Sequence, residues 1–497
     1  MSLERLAALI GGGMPAATGR EELAKRTEEA IKGLFGSRYH SRSAYAYRVA
    51  LMPGEDSVSF AGLVHEESPT SGVYGGMSLI WFPTLGDNDG NGSSLLTFVC
   101  GTRGLSPDED ILGRPGHARY LQALRRHLGK ACGVAVWTKF DPTSLSQPFP
   151  NVVRQQYPDF SSVINRYGNY IYACVRVPQQ GDAARGVVAA FLDLYAWERG
   201  WQPLTAARSE VEALKVDLRA NLFPKCAASQ VHELLRERRF LVLQGPPGTG
   251  KTRMAGEILR EYFNGAGITV QFHPAVTYET FVAGITPSVE ASSLKFDIKP
   301  GWLLQAVRAA GDRDYLLVID EINRADLGRV LGEAIHLFEA REIAAGRGRS
   351  VQLPHPLADG TKTLEIPDNL YVLSTMNTAD RSIAILDVAV RRRFAFVDIW
   401  PDMQIVADQK MPLATEAFGR LQDIFAQYAP PGALVLLPGH SYFLAESEQE
   451  LWNRLRYELM PLLDEYLQEG RLGPCESELR AYLAWLEGEL SLHGSNA

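Results

Sequence analysis

Eight residues in the middle of the chain have the makeup of a phosphate cradle. They are Gly245, Pro246, Pro247, Gly248, Thr249, Gly250, Lys251 and Thr252. Glycines leave backbone N–H groups free to converge on an anion that side chains would block. An apolar run at 240–243 precedes the segment, and a helical pattern at 253–262 follows it. Strand, glycine-rich loop and helix start form the context a phosphate-binding loop needs, and the helix adds its positive dipole end. In that setting Lys251 reaches the β- and γ-phosphates of a nucleoside triphosphate, and Thr252 ligates Mg²⁺. A surface turn rich in Gly and Pro would not need all eight positions.

Two acids stand some 70 residues downstream. Residues 315–319 are apolar and end in Asp320-Glu321. At the C-terminal end of a buried strand, the first acid is expected on the Mg²⁺ side and the second to polarise the attacking water. A further apolar run at 369–375 ends in Met376-Asn377, where a polar side chain can hold that water or the γ-phosphate. Alone, an Asn after a strand is more often a turn residue. Next come Arg391, Arg392, Arg393 and Phe394. Three arginines closing a helix suit its negative dipole end. They also suit an arginine finger that neutralises transition-state charge in a neighbouring subunit.

These groups must be held by a scaffold. From about residue 222, strands and helices alternate until about 398, which predicts a parallel α/β sheet. Residues 403–495 read as helical. Upstream, short β-type runs at 57–64, 77–82, 95–100, 134–137 and 169–177 are separated by Gly, Pro, Asn and Asp. An amphipathic helix is expected at 115–128, with further helices at 185–199 and 205–220. Residues 1–35 look helical and polar. The expected organisation is an α+β domain at 1–220, a nucleotide-binding core at 221–402 and a helical subdomain at 403–497.

Composition is that of an ordinary globular chain of 497 residues. No apolar run approaches the length of a membrane span; the longest, 187–197, is broken by Asp193. Residues 6–10 are too short for a secretory signal. The five cysteines are scattered without a C-x-x-C pair, which argues against disulfide or zinc frameworks and fits a reducing cytoplasm. Net charge is −8 and uneven: +1 over residues 1–220 and −9 over the rest.

The order of motifs resembles an AAA+ module, and its wording resembles the McrB-like proteins. Phe272-His273-Pro274, Tyr278-Glu279 with Phe281, and Gly284 resemble their segment after the second strand. Asp320-Glu321-Ile322-Asn323-Arg324 resembles their extended Walker B motif, and the run from Met376 through Asn377, Asp380 and Arg381 their sensor signature. Arg391 to Phe394 resembles their finger region. Gly439-His440-Ser441-Tyr442-Phe443 and the run 459–466 resemble their helical lid. The resemblance covers about 222–475. It implies a sheet ordered 5-1-4-3-2 with a helical lid, a hexameric ring, GTP in preference to ATP, and activation of a separate McrC-type nuclease in a DNA restriction system. It implies that Asn377 positions water, that Asp380 and Arg381 shape the nucleotide site, and that Asn323 and Arg324 lie at subunit interfaces.

Residues 1–215 match no McrB-type recognition domain. Their 115–128 helix and its extension carry Arg119, Arg125, Arg126 and Lys130, a cluster suited to nucleic-acid phosphates or simply to a solvated helix face. Aromatic residues are dense at 137–172: Trp137, Phe140, Phe149, Tyr157, Phe160, Tyr167, Tyr170 and Tyr172. They fill a core or cage a flipped base. Asp87, Asp89 and Asn91 open like a calcium loop, but the twelfth position is Phe98 where a bidentate Glu is required, so a hairpin loop is expected. No nuclease centre is visible, so DNA cutting would fall to a partner. Two other functions fit the same motor: a MoxR-type remodeller of proteins, and a nucleotide-gated scaffold without turnover.

Overall fold

The computed structural model describes residues 2–15, 19–52, 58–69, 71–86, 92–290, 293–357, 359–380 and 388–494. The chain divides into two compact units. One is Met1–Leu222 with Ala426–Ala429, and the other is Phe223–Phe425 with Pro430–Ala497.

In the first unit six strands form one antiparallel sheet: β1 (Ala46–Ala50), β2 (Phe60–Val64), β3 (Met77–Pro83), β4 (Ser94–Cys100), β5 (Val136–Thr138) and β6 (Ile171–Arg176). Their order is β1-β2-β3-β4-β6-β5. Strands β3 and β4 are buried nearly end to end, so both faces of the sheet are covered. Strand alternation sorts the two faces. Ile80, Phe82 and Leu95 pack with Phe149, Phe160 and Ile164. Phe98 points the other way and stacks on Phe191 of the helix Gly181–Glu198, with ring centroids 5.2 Å apart. That helix is buried from Val187 to Ala196, which explains its apolar run. Asp193 sits in it because Arg38 and Tyr39 hold the carboxylate. The first 35 residues are less polar than expected: Leu3, Leu6 and Ile10 line the buried face of the helix Ser2–Gly11.

The second unit is built on five parallel strands: β7 (Phe240–Gly245), β8 (Gly267–Gln271), β11 (Tyr315–Asp320), β14 (Leu370–Asn377) and β15 (Ala395–Asp398). Two antiparallel hairpins lie outside that sheet, β9 (Ala283–Glu290) with β10 (Ser293–Pro300), and β12 (Ser350–Gln352) with β13 (Thr363–Glu365). The central order is β15-β7-β14-β11-β8. Numbered within the sheet, that is 5-1-4-3-2. Phe240, Val242, Leu317 and Ile319 enter one apolar layer, and Leu241, Leu243, Leu316 and Val318 the other. A sheet buried on both faces needs apolar residues at every position, and these strands have them. From Met403 onward every element is helical. The strands β7, β11 and β14 all end at one edge, where open parallel sheets place ligands.

Candidate nucleotide site

Gly245 ends β7 and the helix Lys251–Glu261 begins six residues later. Gly248 and Gly250 between them both take φ +79°, a left-handed conformation that a side chain would strain. The loop therefore turns its backbone inward. Lys251 lies inside the turn, only 5% exposed. Its Nζ donates to the carbonyls of Gly245 at 3.0 Å and Pro246 at 2.7 Å. Burial draws this amine down to about 8, against the pull of Glu321, Asp320 and Asp380. The cation thus waits at the spot where triphosphate charge would restore its proton affinity.

The end of β11 supplies the acids. Asp320 Oδ1 accepts from Thr252 Oγ1 at 2.8 Å and from Thr375 Oγ1 at 2.5 Å. Glu321 adopts φ +53°, unusual for a non-glycine residue and a conformation that active sites hold at a cost of about 1–3 kcal/mol. Its amide donates to Thr375 Oγ1 at 3.0 Å, so one hydroxyl locks both acids. The Glu321 carboxylate accepts from Asn377 Nδ2 at 3.1 Å. Burial raises its proton affinity, although Arg324 opposes the shift. Arg324 pairs directly with Glu321 and lies 3.5 Å from Asp380. The structure thus gathers Lys251, Thr252, Asp320, Glu321, Asn377 and Asp380 in one place.

Thr375 is the residue that sequence reasoning missed. It stands two positions before Asn377 on β14, so period-2 alternation puts both on the same face. A hydroxyl at that offset is the signal that was available.

The other expected residues lie in varied surroundings. Asn323, expected at a subunit interface, is buried, and its amide donates to the Asn377 carbonyl at 3.1 Å. Its Oδ1 has no hydrogen-bond partner among the described residues. Arg393 is also interior, donating to Ala389 O at 2.9 Å and pairing with Glu339 at 3.2 Å. Arg391 and Arg392 are exposed; Arg391 lies over the Phe396 ring at 5.5 Å and Arg392 is 3.8 Å from Glu339. Arg381 and the Asp87–Asn91 loop lie outside the described residues.

The lid closes one side of the loop. Gly439 N donates to Pro247 O at 2.9 Å and Ser441 N to Gly248 O at 3.1 Å. A Cβ at position 439 would sit 2.0 Å from the Gly248 carbonyl carbon, so only glycine fits. His440 Nδ1 accepts from the Asp402 amide at 3.2 Å, and burial lowers its proton affinity.

Of the four basic residues on the helix Pro115–Cys132, Arg119 is half-buried with its guanidinium on main-chain carbonyls, and Arg126 donates to Asn221 O at 2.6 Å. Arg125 and Lys130 are exposed. Among the aromatic residues, Phe149, Tyr157, Phe160 and Tyr172 are core, Phe140 is 89% exposed, and Tyr167 and Tyr170 are half-buried.

Residues 240–394 match the model of the AAA domain, dynein-related subfamily. The Type IV methyl-directed restriction enzyme EcoKMcrB subunit of Escherichia coli (strain K12) is 30% identical over 356 residues, covering 65% of this chain and 75% of that protein. The chain belongs to the McrB-like AAA+ proteins. The 65% covered is more than residues 223–497 make up, so the likeness reaches into the first unit. The Type II restriction enzyme BsuMI component YdiS of Bacillus subtilis (strain 168) is 25% identical over 38% of this chain and 65% of its own length. The uncharacterized protein YehL of Escherichia coli (strain K12) is 27% identical over 45% of this chain and 58% of its own length. The McrB-like site is thus a nucleotide-hydrolysing centre, and its donor set fits Mg²⁺. A hydroxyl and a carboxylate are hard oxygen ligands, and Mg²⁺ takes few protein ligands beside phosphates. No helix among the described residues is long and apolar enough to cross a membrane.

Proposed function

We propose that this chain is the nucleoside triphosphatase motor of a restriction-type antiviral complex. It hydrolyses GTP, with ATP as the alternative, and its ring activates a partner nuclease of the McrC type. The observation that carries this reading is the bond from Asn377 to Glu321 at the mouth of the phosphate loop. A carboxylate oriented by an amide, beside a threonine–aspartate pair and a buried lysine, is laid out for attack of water on a phosphoryl group.

Each residue then has one task. Backbone N–H groups of the non-proline residues in the loop 245–250 cradle the phosphates, and Lys251 leaves the Gly245 and Pro246 carbonyls to meet the β- and γ-oxygens. Thr252 and Asp320 would hold Mg²⁺, which when bound neutralises charge on those oxygens. Glu321 takes up a proton from the attacking water, and Asn377 fixes the water and the carboxylate together. Asp380 and Arg381 shape the same site. Arg391 or Arg392 reaches across to a neighbouring subunit's γ-phosphate, which requires a closed heterologous ring, a hexamer in this reading. The restriction role is supported by the two restriction-system relatives, and the first unit, residues 1–222, is read as the nucleic-acid-recognising part.

Steady-state hydrolysis with GTP and ATP side by side tests the motor and its substrate. Turnover with a GTP preference and a nucleotide-dependent mass increase in light scattering are the expected results. Turnover with a clear ATP preference would move the chain toward general AAA+ remodellers such as the MoxR type. Binding without turnover would make it a scaffold.

A further inference from the structure

Where β11 turns away from its sheet, a side chain takes over a main-chain task. Strand β11 pairs with β14 as far as Ile319 and Ser374. Glu321 lies past that ladder, in its left-handed conformation. Its N–H meets the Thr375 hydroxyl, at 3.0 Å, where a strand residue would meet a carbonyl. Thr375 is 1% exposed, so water does not compete for that bond.

Chemistry fixes the direction of both Thr375 bonds. A hydroxyl has one proton and two lone pairs. The Glu321 N–H can only donate, so the Thr375 oxygen accepts. An aspartate carboxylate can only accept, so the Thr375 proton goes to Asp320 Oδ1, 2.5 Å away. Donation to a charged oxygen polarises the hydroxyl and strengthens its hold on the amide. The same Asp320 oxygen takes the Thr252 proton at 2.8 Å. A chain of bonds thus runs from Thr252 through Asp320 and Thr375 to Glu321, whose carboxylate accepts from Asn377. The neighbouring Ser374 hydroxyl is also buried, yet it has no hydrogen-bond partner among the described residues. A hydroxyl at this strand end makes the link only from the face that Thr375 occupies.

We propose that Thr375 is a positioning residue for hydrolysis. It ties the water-side acid Glu321 to the metal-side acid Asp320, so that Glu321 keeps its left-handed turn and its carboxylate stays against Asn377. The proposal deepens the hydrolytic reading of this site and rests on it. It assigns Thr375 to turnover and not to nucleotide affinity, because its hydroxyl is engaged by the two acids.

Thr375→Val keeps the branched shape and leaves the Glu321 N–H without its acceptor. In the full-length chain kcat should fall by on the order of 10–100-fold, as for other groups that orient a metal-site ligand, with KM within about threefold. Thr375→Ser should restore kcat to within about threefold, because it returns the hydroxyl. Thr375→Ala serves if the valine variant does not fold, and Ser374→Ala is the control that should match wild type. Hydrogen exchange at the Glu321 amide, read without nucleotide, should quicken in Thr375→Val and Thr375→Ala and not in Thr375→Ser. Wild-type kcat in Thr375→Val while Glu321→Gln loses turnover would overturn the role of Thr375 and leave the hydrolytic reading standing. A serine variant as impaired as the valine one would overturn it as well, since packing and not the hydroxyl would then matter. So would a rise in KM in place of the fall in kcat. Full turnover in Glu321→Gln would remove the reading and the role together.

Discussion

Each unit holds a charged pair, one buried and one half-open to solvent, and the two are built to opposite ends. In the first unit Arg38 meets Asp193 twice, at 2.8 and 2.5 Å, and Glu210 at 2.9 Å, while Tyr39 donates to Asp193 at 2.5 Å. The Arg38 and Asp193 side chains are 7% and 2% exposed. Burial opposes the Arg38 charge, yet its carboxylate partners more than restore it. In the second unit Glu321 is 19% exposed and its partner Arg324 is 47% exposed. Arg324 divides itself between Glu321 and Asp380, and burial leaves Glu321 with raised proton affinity. A charge closed on every side fixes shape. A charge held from one side can exchange partners when phosphate and water arrive.

Breaking the closed pair should be costly and should say nothing about chemistry. Asp193→Ala leaves Arg38 buried without its main partner, and about 3–5 kcal/mol of stability should go with it. Denaturant unfolding measures this. A loss below about 1 kcal/mol would mean that water relieves the cluster. By contrast, Arg324→Ala in the half-open pair should cost no more than about 1 kcal/mol in the same assay.

Lys251 sharpens the contrast through pH. Its folded-state pKa, drawn down to about 8, lies below the ordinary 10.5. Between those values the unfolded chain holds a proton that the folded chain has lost, so stability rises as pH rises through the window. The rise is on the order of 3 kcal/mol, and Lys251→Met should abolish it. Nucleotide-free unfolding at pH 8 and pH 10 in wild type and variant is the check. Identical slopes would place Lys251 in water rather than inside its loop.

Gly439→Ala probes the contact between lid and loop. The new Cβ meets the Gly248 backbone, which cannot swing aside as a flexible side chain would. A loss of about 1–3 kcal/mol is expected, read as a lower melting temperature. The smallest effect should come from the exposed Arg125 and Lys130, where alanine should stay within about 0.5 kcal/mol.

What the sequence revealed follows from how local each signal is. The phosphate loop is contiguous, and its glycines, lysine and threonine carry their own geometry. The acids of β11 and Asn377 of β14 were legible because each closes an apolar strand. Strand β1 was missed because all five of its residues are half-buried, so no alternation marks it. Arg393 could not be separated from Arg391 and Arg392 by type alone. Its partner Glu339 lies more than fifty residues away, and only folding brings it near. The inward turn of Asn323 to the end of β14 was not legible either, because nothing in its sequence neighbours shows it.

The central claim is that Glu321, oriented by Asn377, acts on water and not on nucleotide binding. Glu321→Gln keeps the shape and removes the charge. Its nucleotide affinity should stay within about threefold of wild type, while single-turnover hydrolysis falls by on the order of 10²–10⁴. Hydrolysis at the wild-type rate, or affinity lost in step with hydrolysis, would contradict the account.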